Sequence, residues 1–180
     1  MERTINKNLC IFLNNALWIC VCVISALILP QLFHAFGIIS GSGEKFGQMF
    51  LPMYLPVLIL AFKTNPFAGV IAGILSPIIS FSISGMPTAA MLPLITIELA
   101  CFGLFAGLIK DKKWNIFAKI FTIQLLSRIV RIMITLISVY FISDSTVTAN
   151  TIFSGIILSI PGFVMQLLVV PYFVNKRCFK

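Results

Sequence analysis

One stretch constrains this chain more than any other. From Ile116 to Ile142 the sequence is apolar over more than the ~20 residues a helix needs to cross a bilayer, yet Arg128 and Arg131 stand in its middle. An ionisable side chain at that depth costs at least ~2.5–3.5 kcal/mol on insertion scales, and it faces a bundle interior, a partner or a water-filled cavity. The chain must therefore bring something polar to two guanidinium groups. An earlier apolar stretch, Ala89 to Ile109, carries one carboxylate, Glu98. Counting at 1.5 Å per residue puts Glu98 ~14 Å and Arg131 ~16 Å from the same membrane face, with Arg128 one turn deeper. Antiparallel neighbours would bring the three together. Residues 128 and 131 share a helix face, because positions three apart are neighbours. Gln124, Ser127 and Thr135 extend that polar stripe. Arg128 is too far from either interface to reach it by stretching its side chain. Two readings stay open: an internal ion pair that fixes helix register, and the wall of a solute cavity. The expectation is that Arg128 pairs with Glu98, while Arg131, nearer the outer face, contacts solute.

Composition agrees with a membrane protein. The chain is 59% hydrophobic and 10% charged, too apolar for a soluble domain. Its 180 residues leave room for about six spans of ~20–25 residues and little else. The predicted spans are residues 9–36, 48–62, 67–83, 89–109, 116–142 and 151–174. They make an all-α membrane protein, a bundle of six transmembrane helices in one integral membrane domain, residues 1–180. The first apolar run outlasts a signal-peptide core and lacks an A-x-A-like cleavage site, so it reads as a retained helix. Pro30 should bend it, because proline removes a helix hydrogen bond. The second span is short and interrupted by Pro52 and Pro56, which suits a re-entrant or broken element. Tight turns are expected at Lys63-Thr64-Asn65-Pro66 and at Ser84-Gly85-Met86-Pro87-Thr88. Gly69 and Gly73 have the GxxxG spacing that lets another helix approach closely.

Charge gives an orientation. Six spans put Arg3, Lys7, Lys63, Lys110, Lys112, Lys113, Lys119, Lys176, Arg177 and Lys180 on one side and only Lys45 on the other. Cytoplasmic loops carry the excess of Lys and Arg, so both termini are expected in the cytoplasm of a multi-pass plasma-membrane protein. The net charge of +8 thus belongs to the membrane flanks and not to a nucleic-acid surface. No GxxxxGK[ST] motif is present, and the five cysteines form no CxxC pair or disulfide framework. With a single histidine, His34, no metal site or cofactor is expected.

The motifs also carry a family resemblance. Leu51-Pro52-Met53-Tyr54-Leu55-Pro56-Val57-Leu58 is followed by Asn65-Pro66, Gly69 and Gly73. Then come Leu75-Ser76-Pro77, Gly85-Met86-Pro87, Met91-Leu92-Pro93, and Glu98-Leu99-Ala100 with Gly103 and Gly107. In this order and spacing they resemble the substrate-binding S components of energy-coupling factor (ECF) vitamin transporters, over about Ala16 to Val174. The nearest group is the pantothenate-type one with its unassigned relatives. Many relatives carry His where Tyr54 stands, and Gly where Ser127 stands. The resemblance implies a six-helix, non-enzymatic protein that captures a vitamin or related micronutrient near its outer face. It implies docking on a membrane coupling subunit that carries two cytoplasmic ATPases, followed by toppling in the bilayer to deliver the solute inward. Docking in the family uses small residues on the first helix. The nearest matches here are the pairs Ala16 with Cys20 and Cys22 with Ala26.

Candidate substrate-binding residues are Gln48, Tyr54, Met86, Thr88, Glu98, Arg128, Arg131, Asn150 and Gln166. The glycine-rich segment 37–47 is expected to act as a lid over them. Two arginines favour a solute with a carboxylate, since guanidinium pairs with such groups, and pantothenate fits that chemistry. A partial neutralisation of the arginines by Glu98 would leave room for a neutral solute. The alternative is a membrane-embedded enzyme or assembly factor using Glu98, His34 and the arginines. A channel would need a repeated ring of ligands, and none is seen.

Overall fold

A computed structural model describes residues 2–39, 52–85, 87–89, 91–142 and 160–175, without the side chains of residues 2–11, 34, 138–142 and 175. Gln48, Met86, Asn150, nearly all of the expected lid and the residues after 175 lie outside this description, as does the His34 side chain. The described residues are helices and their short connections. In chain order these are α1 (Glu2–Ile39), α2 (Tyr54–Lys63), α3 (Pro66–Ser84), α4 (Leu92–Ile109), α5 (Ile116–Ile142) and α6 (Ile160–Asn175).

Four helices contain segments long and apolar enough to cross a membrane: Phe12–Ile39 in α1, α3, α4, and Ile116–Ile137 in α5. The chain is a multi-pass membrane protein. Residues 151–159 of the expected last span lie outside the described residues. At 10 residues, α2 reaches only ~15 Å, short of a full span. In α2 this follows from its prolines. Pro52 falls in the preceding turn and Pro56 in the first helical turn, where a missing N–H leaves no intrahelical bond unmade. By contrast, α1 runs unbroken through Pro30 to Ile39, past Gly37, where a non-helical segment was expected to begin.

The turns are built by their own chemistry. Asn65 caps α3, its Oδ1 accepting from the Ala68 N–H at 2.7 Å, with Pro66 next in the first helical position. Gly85 ends α3 in the left-handed region, φ 68°, which glycine adopts without strain. α4 starts at Leu92, three residues later than expected.

α2 is the hub and packs against α1, α3, α4 and α6. Tyr54, Leu55, Pro56, Val57, Leu58, Leu60 and Ala61 are all buried, as befits a helix apolar all round. α3 and α4 meet backbone to backbone. A Cβ on Gly69 would stand 2.6 Å from the Gly103 carbonyl oxygen, one on Gly73 2.5 Å from that of Leu99, and one on Gly107 against the Pro66 backbone. Gly69 of the GxxxG pair is thus met by Gly103 on α4 and Gly73 by the Leu99–Ala100 backbone, while Gly107 takes the start of α3 at Pro66. The outer faces are apolar: α5 exposes Phe121, Leu125, Ile129, Met133 and Leu136 at helical spacing, a stripe suited to lipid.

The small-residue pairs on α1 divide. Cys22 and Ala26 are buried at 4% and 0% exposure. They seat α1 on the bundle and offer no docking face, a correction to the expected pair. Ala16 is half-buried and Cys20 exposed. Small residues allow close approach to any neighbour, and for Cys22 and Ala26 that neighbour is internal.

Candidate functional site

Glu98 sits one turn before Phe102 on the buried face of α4 and is 1% exposed. Its Oε1 accepts from Arg128 Nη1 at 3.4 Å and its Oε2 from Arg131 Nη1 at 3.2 Å. Both arginines come from α5, with side chains 16% and 23% exposed. The expected Arg128–Glu98 pair is present, and Arg131 shares the same carboxylate. The reason is geometric. Arginines three apart share a face, and the two carboxylate oxygens point to successive turns of it. Neither contact is a bidentate fork. Among the described residues each guanidinium spends one N–H on Glu98, out of the five it owns. One negative and two positive groups leave the cluster at +1 inside an apolar bundle.

Tyr54 arrives from α2. Its ring meets Phe102 edge-on, with centroids 5.2 Å apart and planes at 76°. Since Phe102 is one turn from Glu98, the Tyr54 hydroxyl comes beside the carboxylate and into the field of both arginines. Among the described residues this buried hydroxyl makes no hydrogen bond of ordinary geometry, although the Glu98 carboxylate is within its electrostatic reach.

One turn before Arg128, the polar seam continues to α6. The Gln124 amide N–H donates to the Gln166 carbonyl oxygen, and Gln166 is wholly buried. Its own Nε2 likewise has no partner among the described residues. The sequence marked both glutamines but not their pairing, because the rotation of α6 about its axis leaves no local signal. Two other stripe members satisfy themselves on α5: Ser127 bonds the Ile123 carbonyl at 2.6 Å and Thr135 that of Arg131 at 2.8 Å. The stripe thus narrows to Gln124, Arg128 and Arg131. Thr88 lies exposed in the α3–α4 connection.

The other end of the bundle gathers lysines. Lys110 Nζ donates to the Thr64 carbonyl at the end of α2, Lys119 Nζ to the Lys110 carbonyl, and Lys63 lies 5.1 Å from the centre of the Trp18 ring. Cations suit helix C-termini, where carbonyls lack partners.

No protein-family model, curated protein or solved structure matches this chain.

Proposed function

We propose that this chain is the solute-binding membrane subunit of an ECF-type importer, which captures a micronutrient and hands it inward when docked on a coupling subunit with two ATPases. The observation that carries the reading is the +1 cluster of Glu98, Arg128 and Arg131, held inside an apolar bundle with most of its N–H donors unspent among the described residues. Charges at such depth are costly and mark solute or ion pathways. A purely structural pair would close at zero charge, and this one does not. The ordered motifs from Leu51 to Gly107 supply the family. A carboxylate-bearing solute of the pantothenate type suits the surplus charge. The lysines gathered around Thr64 and Lys110 support a cytoplasmic placement of that end, and with it of both termini, in the plasma membrane.

The test is affinity purification of tagged protein from native membranes in mild detergent, with mass spectrometry of everything retained. A membrane coupling subunit, two ATPases and a small organic solute should copurify. Recovery of the chain alone, without solute, from cells growing on external vitamins would refute the proposal.

A further inference from the structure

The proposed function leaves two features unused: the buried Tyr54 hydroxyl makes no hydrogen bond of ordinary geometry among the described residues, and Glu98 occupies both arginines in a protein expected to bind an anion there. A buried donor left unmade is costly and calls for an explanation. We propose that Glu98 holds the place of a solute carboxylate: an entering carboxylate takes Arg131 from Glu98, and the Tyr54 hydroxyl donates to the oxygen so released. This deepens the importer reading and rests on it for the presence of a solute at the cluster.

Three observations support the exchange. Arg131 has the more exposed side chain of the two arginines, 23% against 16%, so an entering group meets it first. Each arginine holds Glu98 by a single N–H, at 3.2 or 3.4 Å, a grip that a bidentate carboxylate would improve on. Finally, the charge closes. Among the described residues the cluster carries +1, and one added carboxylate brings two positive and two negative groups to zero in a medium where net charge is costly. A neutral solute would leave the surplus in place and a cation would enlarge it. Tyr54 then offsets what Glu98 loses. Its ring, fixed edge-on against Phe102, already sets the hydroxyl beside the carboxylate.

The exchange predicts a dependence that ordinary binding does not: Tyr54 matters only while Glu98 is present. The experiment uses the purified full chain in detergent, at constant ionic strength made up with chloride. Acetate is the probe and acetamide its neutral counterpart. The thermal midpoint is followed against probe concentration, because stabilisation by ligand scales with occupancy. Acetate should raise the midpoint saturably, acetamide should not, and Arg131→Gln should abolish the response. With Glu98 present, Tyr54→Phe should weaken acetate binding about tenfold or more, the weight of one hydrogen bond to a charged group. In Glu98→Gln, acetate should bind more tightly than in the native chain, and adding Tyr54→Phe should change it by less than about twofold, because no released oxygen then needs the hydroxyl. Equal weakening in both backgrounds would mean that Tyr54 touches solute directly, and the exchange would be overturned. So would an equal response to acetamide.

Should Glu98→Gln fail to fold, infrared difference spectra of the native chain, acetate minus chloride, decide. They should contain a tyrosine C–O band that Tyr54→Phe removes, and an acetate response without that band overturns the proposal. The two readings fail separately. A chain that copurifies with a coupling subunit and a neutral solute but ignores acetate sinks the exchange alone. A chain that shows the Tyr54-dependent acetate response but copurifies with no coupling subunit sinks the importer and leaves the exchange standing.

Discussion

Replacing Glu98 with glutamine takes the buried cluster from +1 to +2, whereas replacing either arginine with methionine takes it to zero. That asymmetry fixes an order of stability. In Glu98→Gln both arginines, with side chains at 16% and 23% exposure, lose the carboxylate they share. Stranding a buried charge costs ~3–5 kcal/mol. In Arg131→Met the Glu98–Arg128 contact at 3.4 Å survives as a neutral pair, nothing charged is stranded, and the cost should be ~0–2 kcal/mol. The gap of at least ~1 kcal/mol corresponds to roughly fivefold or more in the folded-to-unfolded ratio. Equilibrium unfolding in detergent micelles, followed by circular dichroism, can resolve it. Replacing all three, with Glu98→Gln, Arg128→Met and Arg131→Met together, should recover most of the loss, since apolar substitutes for a buried ion cluster are often neutral or better. If Arg131→Met proved as damaging as Glu98→Gln, the charge count would not be what governs this cluster. If Glu98→Gln cost nothing, the pairs would not exist in the folded protein.

Other outcomes follow from the packing. Gly69→Ala must open a 2.6 Å contact. The overpacking cost of ~1–3 kcal/mol, less the ~1 kcal/mol that alanine gains over glycine in a helix, should leave a net loss of ~0–2 kcal/mol by the same unfolding assay. A gain in stability would mean that α3 and α4 do not touch there. Gln166→Leu should cost ~1–3 kcal/mol by stranding the Gln124 amide, and adding Gln124→Leu should restore most of it; additive losses would deny the pairing. In a chain stripped of its native cysteines, Ser145→Cys should react with a membrane-impermeant maleimide in intact cells and Lys112→Cys only after permeabilisation. Reaction at 112 in intact cells would invert the orientation.

The charge cluster was legible in the sequence because depth and helical spacing are both one-dimensional. Counting residues from the span ends put Glu98 level with the arginines, and the three-residue spacing put Arg128 and Arg131 on one face. What counting cannot supply is stoichiometry: the carboxylate turned out to serve both arginines, since that depends on where its two oxygens point. Tyr54 was marked as a candidate, but only the ring of Phe102, forty-eight residues away by number (102 − 54), sets its hydroxyl beside Glu98. The Gln124–Gln166 bond likewise depends on the rotation of α6. Cys22 and Ala26 misled for a different reason, because a small pair has one pattern whether its neighbour is inside or outside the molecule. The prolines of the second element marked it as short, and it is.

The glycine seam between α3 and α4 restricts how this protein can change shape. Side chains between helices act as bearings: they swap rotamers and let one helix slide or roll over another. Where carbonyl oxygens lie directly against the opposite backbone, there is nothing to reorient, so α3 and α4 behave as one plate, with α2 set against it. Glu98 is mounted on that plate and the two arginines on α5. Any opening of the cluster is therefore a displacement of α5 relative to the plate, and the Glu98 contacts to Arg128 and Arg131 are the latch across that joint.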